Sequence, residues 1–116
     1  YRLYVRTLHL MDITDWRIKI DELDRRLVEL LNERAQAAHE IGKLKRNTSM
    51  PIYEPLREKI IFENVQRANR GPLPASELRQ VYERIIDVMR NIQKNEIAPN
   101  MEAGDKHTEF DVEVND

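Results

Sequence analysis

Residues 16–45 read WRIKIDELDRRLVELLNERAQAAHEIGKLK, and the spacing of the apolar side chains in this stretch decides the fold. The apolar residues recur in steps of three and four, as on one face of an α-helix. Thr14 or Asp15 is predicted to cap the start of this helix, and the polar segment 47–51, with its proline, is predicted to end it. The face follows a heptad pattern over three and a half repeats, formed by Ile20, Leu23, Leu27, Leu30, Arg34, Ala37, Ile41 and Leu44.

The predicted helix is too long for its own chain to cover. About 30 residues at 1.5 Å per residue span about 45 Å, whereas a compact domain of about 100 residues has a radius of gyration near ~13 Å. The whole chain has only 116 residues. The sequence therefore predicts that a second copy covers the helix, in an intertwined helical homodimer.

Two shorter helices are predicted to follow. The second opens at Glu54-Pro55, an acid at the cap position followed by proline at the first helical position, and stops at Gly71-Pro72. Its apolar side carries Ile60, Ile61, Val65 and Ala68. The third starts near residues 74–76, and its buried stripe consists of Leu78, Val81, Tyr82, Ile85, Ile86, Met89 and Ile92. No strand alternation follows Met11, so the predicted fold class is all-α, a three-helix protomer with a very long first helix.

The net charge of −2 is the sum of two unlike parts. Residues 1–94 contain 18 Lys and Arg against 14 Asp and Glu, whereas residues 95–116 contain one lysine against seven acids. We divide the chain into an extension at 1–11 that is non-native or disordered, a helical domain at 12–95, and an acidic tail at 96–116. The tail lacks apolar anchors and is expected to be disordered; it is either a solubilising end or a competitor that folds over a basic pocket. The basic body favours an anionic partner.

Composition excludes several classes of function. The absence of cysteine rules out a disulfide framework, a thiol nucleophile and a thiolate metal site. His9, His39 and His107 share no helical face, so neither a metal site nor a histidine pair is expected. No apolar run approaches the ~20 residues of a membrane span. Basic residues that alternate with acids, without an aromatic platform, argue against nucleic-acid binding.

Four polar side chains lie where apolar ones are expected. Arg34 occupies a seam position, and Lys45 lies eleven residues later, within about 20° of the same direction. Gln93 continues the stripe of the third helix, and Arg57 shares a face with Ile61 on the second. Three of them have an ordinary explanation: a register or rim residue or an interhelix ion pair for Arg34, an exposed helix end for Gln93, and complementation of the helix dipole for Lys45. Arg57 in the first turn of its helix is mildly unfavourable to the helix dipole, which favours a functional reason. If they are buried, they need a polar and preferably anionic partner.

Together these residues resemble the all-helical chorismate mutases. The resemblance covers Trp16 to about Lys94, and rests on residues 16–45, on PIYEPLREK at 51–59 and on IIDVMRNIQ at 85–93. It implies an isomerase of aromatic amino acid biosynthesis, in the cytoplasm, that rearranges chorismate to prephenate by an intramolecular Claisen shift. The family uses no cofactor and no metal. Catalysis requires a dianionic substrate held in near-attack geometry and donors aimed at the ether oxygen, which gains negative charge.

The resemblance also implies roles for individual residues. Arg34 and Arg57 correspond to guanidinium clamps for the substrate carboxylates, for which the arginine fork is well suited. Lys45 and Gln93 correspond to the two donors to the ether oxygen. Glu58 corresponds to the carboxylate that accepts from the ring hydroxyl. Glu54 matches an acidic substrate-binding position beside it, where aspartate is common.

Arg17 corresponds to an arginine that the partner subunit contributes. Helix geometry supports this, because Arg17 lies about 25 Å from Arg34 along the helix and roughly 260° around it. One copy of the helix cannot easily bring both side chains to one small molecule. A homodimer with two shared sites can.

Met89 departs from the family pattern, and other functions stay open. Many relatives carry a serine at the substrate-binding position of Met89, and a thioether cannot donate a hydrogen bond.

One alternative function is that of an isochorismate-pyruvate lyase of the same fold, although Glu58 and Gln93 favour the mutase. Another is a non-enzymatic helical dimerisation or regulatory module whose basic residues form interchain salt bridges. A further enzyme of the pathway, such as a heptulosonate synthase, is a candidate partner.

Overall fold

The computed structural model of the protein describes residues 10–97, and these residues form three α-helices without a strand. Helix α1 comprises Ile13–Arg46, α2 comprises Pro55–Ala68 and α3 comprises Ala75–Ile97. The prediction of an all-α protomer with a very long first helix is confirmed, since α1 has 34 residues and a length of about 50 Å. Within residues 10–97, no helix is long and apolar enough to cross a membrane.

A reciprocal pair of aspartates starts α1. The amide of Asp15 donates to Oδ1 of Asp12 at 3.0 Å, and the amide of Asp12 donates to Oδ2 of Asp15 at 3.1 Å. The prediction that Thr14 or Asp15 caps the helix is therefore wrong. Asp12 is the cap because the helix already begins at Ile13, and Asp15 is the reciprocal partner three residues later.

The end of α1 lies where the sequence predicts it. The amide and the hydroxyl of Thr48 both donate to the carbonyl oxygen of Lys45, at 3.0 and 3.2 Å. The amide of Asn47 donates to the carbonyl oxygen of Leu44 at 3.3 Å. These bonds satisfy carbonyl groups that have no partner inside the helix.

The chain divides into two compact units, one up to Arg34 and one from Ala35 onward. In the first unit the apolar seam of α1 is accessible, with 54% of Ile20 and 61% of Leu30 exposed. Leu23 and Leu27 are exposed as well. Large apolar side chains in a row at helical spacing are typical of a surface that another chain covers. The homodimer stays a prediction.

The second unit has a small core on α3 and on the last turns of α1. The residues buried there are Ala38, Gly42, Lys45, Ile86 and Met89. Val81, predicted to be buried, is 51% exposed. The buried stripe is narrower than predicted because Val81 lies at its exposed edge, on the same side of α3 as the exposed Val88 seven residues later.

Helix α2 is less buried than its apolar residues predict. Ile61 and Val65 are half-buried, but Ile60 and Ala68 are exposed, and no residue of α2 is fully buried. Only one edge of the predicted apolar side therefore packs within the described chain.

Asn69 and Gly71 shape the turn between α2 and α3. The amide of Gly71 donates to Oδ1 of Asn69 at 3.0 Å, and Nδ2 of Asn69 donates to the carbonyl oxygen of Leu73 at 2.9 Å. Gly71 has a φ of +73°, a conformation that favours glycine. The predicted stop at Gly71-Pro72 is this turn, which begins after α2 ends at Ala68.

Helix α3 continues through Ile97, so Glu96, predicted as the first tail residue, is helical. Its carboxylate lies 2.7 Å from Nδ1 of His39, and its carbonyl oxygen accepts from Arg46 at 3.2 Å. These contacts tie the end of α3 to the end of α1. Residues 1–9 and 98–116, which make up most of the predicted extension and tail, lie outside the described residues.

Candidate active site

The ammonium group of Lys45 is the centre of the candidate site. Lys45 lies in the last turn of α1 with only 3% of its side chain exposed. Its Nζ donates to Oε2 of Glu54 at 2.8 Å, to Oε1 of Gln93 at 2.9 Å and to the carbonyl oxygen of Ile52 at 3.4 Å. Three acceptors match the three N–H donors of an ammonium group, which is how a buried charge is tolerated.

Lys43 shows what a lysine does here when it only complements the helix dipole. Its side chain is 43% exposed, and its Nζ lies 3.5 Å from the carboxylate of Glu40, three residues earlier on the same helix. Lys45, two residues later, is buried among groups from other segments of the chain. Complementation of the helix dipole therefore explains the position of Lys43, but it does not explain why Lys45 is buried.

Gln93 faces Lys45 through its carbonyl oxygen. An ammonium group has donors only, so the atom of the Gln93 amide that lies 2.9 Å from Nζ must be the acceptor. The NH₂ group of Gln93 is then directed away from Lys45. Gln93 is half-buried rather than an exposed helix end, and the pair presents two donors from two different helices.

Gly42 allows α1 and α3 to approach closely enough for this contact. A Cβ at position 42 would lie 3.1 Å from Cα of Gln93, and 3.0 and 3.2 Å from Cβ and Cγ of Glu96. Such distances are tighter than most side-chain contacts, so a larger residue would push the two helices apart. Gly42 lies three residues before Lys45, and its lack of a side chain thus places Lys45 beside Gln93.

Glu54 occupies the cap position of α2 without capping it. Its side chain makes no hydrogen bond to the first turn of α2, although the sequence predicts a capping acid there. The carboxylate binds Lys45 instead, at 2.8 Å. A buried ammonium group is a stronger attraction for this carboxylate than a peptide N–H, because the ion pair compensates a desolvated charge.

Glu58, one turn further along α2, is held by an arginine that the sequence interpretation missed. Nη2 of Arg90 lies 2.8 and 2.9 Å from the two oxygens of Glu58, and Nε lies 3.2 Å from Oε2. Nη1 of Arg90 also donates to Asp87 at 3.3 Å, and its guanidinium lies 5.2 Å from the ring centre of Tyr53. A signal was available in the sequence, because Glu58 follows Glu54 by about one helical turn and Arg90 precedes Gln93 by about one turn.

The structure does not bring every predicted residue to this cluster. Arg57 is exposed and makes no ion pair within residues 10–97. Arg34 is half-buried and Arg17 is exposed, and both belong to the first unit. Met89 is 6% exposed and belongs to the apolar core of the second unit. The roles predicted for these four residues stay predictions.

The arrangement is suited to binding an anion and donating hydrogen bonds. Among the described residues no group of three or more His, Cys, Asp and Glu side chains is placed to hold a metal ion. The site offers instead a buried ammonium group, a carboxamide NH₂ and a carboxylate fixed by a guanidinium. Donors that are already oriented can stabilise developing negative charge without reorganising.

A family model and two relatives with similar sequences all point to the same family. The family model described as chorismate mutase type II matches residues 16–94. The bifunctional chorismate mutase/prephenate dehydratase of Aquifex aeolicus is 36% identical over 87 residues, which cover 72% of this chain and 24% of that protein. The chorismate mutase of Methanocaldococcus jannaschii is 33% identical over 55 residues, which cover 47% of this chain and 56% of that protein.

A solved structure is similar over most of its length. The crystal structure of chorismate mutase from Helicobacter pylori in complex with prephenate has a TM-score of 0.66 and 29% sequence identity, and the match covers 73% of this chain and 92% of that chain. In contrast, this chain spans about a quarter of the length of the Aquifex aeolicus protein.

Proposed function

Because this chain belongs to the chorismate mutase type II family, we propose that it rearranges chorismate to prephenate by an intramolecular Claisen shift. In this reaction a C–O bond breaks while a C–C bond forms in the same molecule. No nucleophile and no proton transfer are needed. The protein contributes conformational restraint of the substrate and stabilisation of the charge that develops on the ether oxygen.

The observation that carries the proposal is the burial of Lys45 against Gln93. A lysine with 3% of its side chain exposed, 2.9 Å from the carbonyl oxygen of a glutamine on another helix, is costly for the fold. Replacement of a buried ion pair by apolar side chains is often neutral or stabilising. A buried ammonium group beside a half-buried carboxamide has a direct use in holding an anion whose ether oxygen becomes more negative.

The lengths of the Lys45 hydrogen bonds suggest how Nζ could donate to the ether oxygen of the substrate. The bond to the carbonyl oxygen of Ile52 is the weakest of the three, at 3.4 Å, whereas those to Glu54 and Gln93 are shorter than 3.0 Å. We propose that the ether oxygen replaces Ile52 as the third acceptor, while Glu54 and Gln93 keep Nζ in place. The NH₂ group of Gln93, directed away from Lys45, is the second donor.

The remaining roles are proposed on charge and exposure. Arg34 and Arg57 have no ionic partner within the described residues, so both are available to bind the two substrate carboxylates. Glu58 is proposed to accept a hydrogen bond from the ring hydroxyl of the substrate. Arg17 is proposed to reach the site from a second copy of the chain, in a homodimer whose interface is the accessible seam of α1.

The test follows chorismate, without any cofactor, in the presence of the purified protein. Loss of chorismate, with acid conversion of the product to phenylpyruvate, supports the proposal. Faster turnover of isochorismate than of chorismate would indicate the lyase instead. Absence of turnover, together with an unchanged melting temperature in the presence of a bicyclic dianionic transition-state analogue, would indicate a non-enzymatic helical module.

A further inference from the structure

We propose that Arg90 is a positioning residue of this site and that it acts through Glu58. The inference rests on the proposed function, because it concerns the carboxylate that would accept a hydrogen bond from the ring hydroxyl of the substrate. Arg90 itself is not proposed to touch the reacting atoms. Its role is to keep Glu58 in one orientation before the substrate arrives.

The geometry of the pair is that of a fork holding a carboxylate. Arg90 places Nη2 at 2.8 and 2.9 Å from the two oxygens of Glu58 and Nε at 3.2 Å from Oε2. Charge-assisted contacts of this kind fix the direction of the carboxylate as well as its distance. Oε2 accepts from both Nε and Nη2, whereas Oε1 accepts from Nη2 alone. Because a carboxylate oxygen has two lone pairs, Oε1 can still accept a hydrogen bond while Arg90 holds Glu58.

Arg90 is itself held in place from two other sides. Nη1 donates to Asp87 at 3.3 Å on the same helix, and the guanidinium lies 5.2 Å from the ring centre of Tyr53. The side chains of Arg90 and Glu58 are 29% and 19% exposed, so water competes little for either. A functional side chain whose own neighbours are restrained loses less freedom when it binds its ligand.

The pair lies next to the polar cluster around Lys45. Lys45 binds Glu54 and Gln93, and one turn away Glu58 binds Arg90. Because Glu58 follows Glu54 by four residues and Arg90 precedes Gln93 by three, the Glu58–Arg90 pair lies about one helical turn from the groups that bind Lys45. A shift of Glu58 therefore changes the site itself and not a remote surface.

The test is a double-mutant cycle on kcat/KM with Arg90→Ala, Glu58→Ala and the double variant. Partners that orient a ligating side chain at metal sites contribute about 10- to 100-fold, and we expect about 10-fold from Arg90→Ala in the otherwise unchanged chain. In the Glu58→Ala background the same substitution should change kcat/KM by less than about 3-fold, because non-additivity isolates a pairwise interaction. Equal losses in both backgrounds would overturn the inference.

Arg79→Ala is the matched control. Arg79 also lies on α3, pairs with a glutamate, Glu83, at 3.2 Å, and sits 4.1 Å from the ring centre of Phe62 on α2. It makes no ion pair with Glu58 among the described contacts. We expect kcat/KM to be unchanged in Arg79→Ala. A loss as large as that of Arg90→Ala would show that α3 arginines act only by joining the helices, and would overturn the inference.

A crystal structure of Arg90→Ala gives a second readout that does not depend on activity. The Glu58 carboxylate should leave its position or become spread over several rotamers, and an unmoved carboxylate would overturn the inference. Failure of the proposed function is distinguishable, since it appears as a wild-type chain that does not turn over chorismate. If the wild-type chain turns over chorismate but the losses in kcat/KM from Arg90→Ala and Glu58→Ala are additive, the role of Arg90 is overturned and the proposed function is not.

Discussion

Replacing Lys45 with methionine removes the ammonium group and keeps a side chain of similar length. Glu54 then loses its ionic partner at 2.8 Å and Gln93 loses the donor at 2.9 Å. Breaking a buried ion pair costs about 3–5 kcal/mol, but the Glu54 side chain is 35% exposed. Since water can solvate that carboxylate in part, we expect a loss of about 1–3 kcal/mol in the free energy of unfolding.

The effect on catalysis is expected to be larger and to have a different cause. Removal of one preorganised donor lowers kcat by about 10²- to 10³-fold. Adding Glu54→Gln to Lys45→Met separates the two effects, because the double variant leaves no unpaired charge in the site. We expect most of the lost stability to return in the double variant and kcat to stay low.

Urea unfolding, followed by circular dichroism at one protein concentration, measures the stability of each variant, and loss of chorismate measures kcat. Lys43→Met is the control, because Lys43 is 43% exposed and pairs only with Glu40 at 3.5 Å; surface pairs of this kind contribute about 0–1 kcal/mol. A Lys45→Met variant with kcat within about 3-fold of the wild type, a difference of less than ~1 kcal/mol in the barrier, would refute the role of the ammonium group.

Four further predictions follow from the same contacts. Gln93→Ala should lower kcat by about 10²-fold or more with an unchanged helical circular dichroism spectrum, and near-full activity would contradict its role as a donor. Gly42→Ala should lower kcat with little change in melting temperature, because the cost of overpacking, about 1–3 kcal/mol, is partly offset by the ~1 kcal/mol that alanine gains over glycine in a helix. Mixing inactive Arg17→Ala and Arg34→Ala chains should restore about a quarter of wild-type turnover, because half of the dimers are hybrids with one complete site; no recovery on mixing would argue against shared sites. Asp12→Ala should lower the free energy of unfolding by about 0.5–2 kcal/mol without changing KM, as measured by urea unfolding and initial rates.

The helices of this protein were predictable because local patterns specify them. The three-and-four spacing of apolar residues in 16–45 depends only on the helical repeat, and it predicted a first helix that the structure extends to Ile13–Arg46. The boundaries were less predictable. Asp12 is the cap and exchanges reciprocal hydrogen bonds with Asp15, but Thr14 and Asp15 carry side-chain oxygens that offer the same capping chemistry.

Burial was harder to predict than secondary structure. Val81 and Ile60 carry apolar side chains at helical spacing and are nevertheless 51% and 47% exposed. Periodicity identifies the face of a helix that can be buried, but the neighbouring helices decide how much of that face they cover. Conversely, Lys45 is the most polar side chain in the core, and only its three acceptors explain how it is tolerated there.

By itself the sequence determined the all-α class and the length of the first helix, and it predicted a dimer that covers the apolar seam. The family resemblance made Lys45, Gln93 and Glu58 candidate site residues. The tertiary structure alone decided that Glu54 binds Lys45 instead of capping α2, and that Arg90 holds Glu58. The physical reason is range. Helical repeats act between residues three or four positions apart, whereas Gln93 lies 48 residues from Lys45 and Arg90 lies 32 residues from Glu58, so these pairs form only when the helices pack.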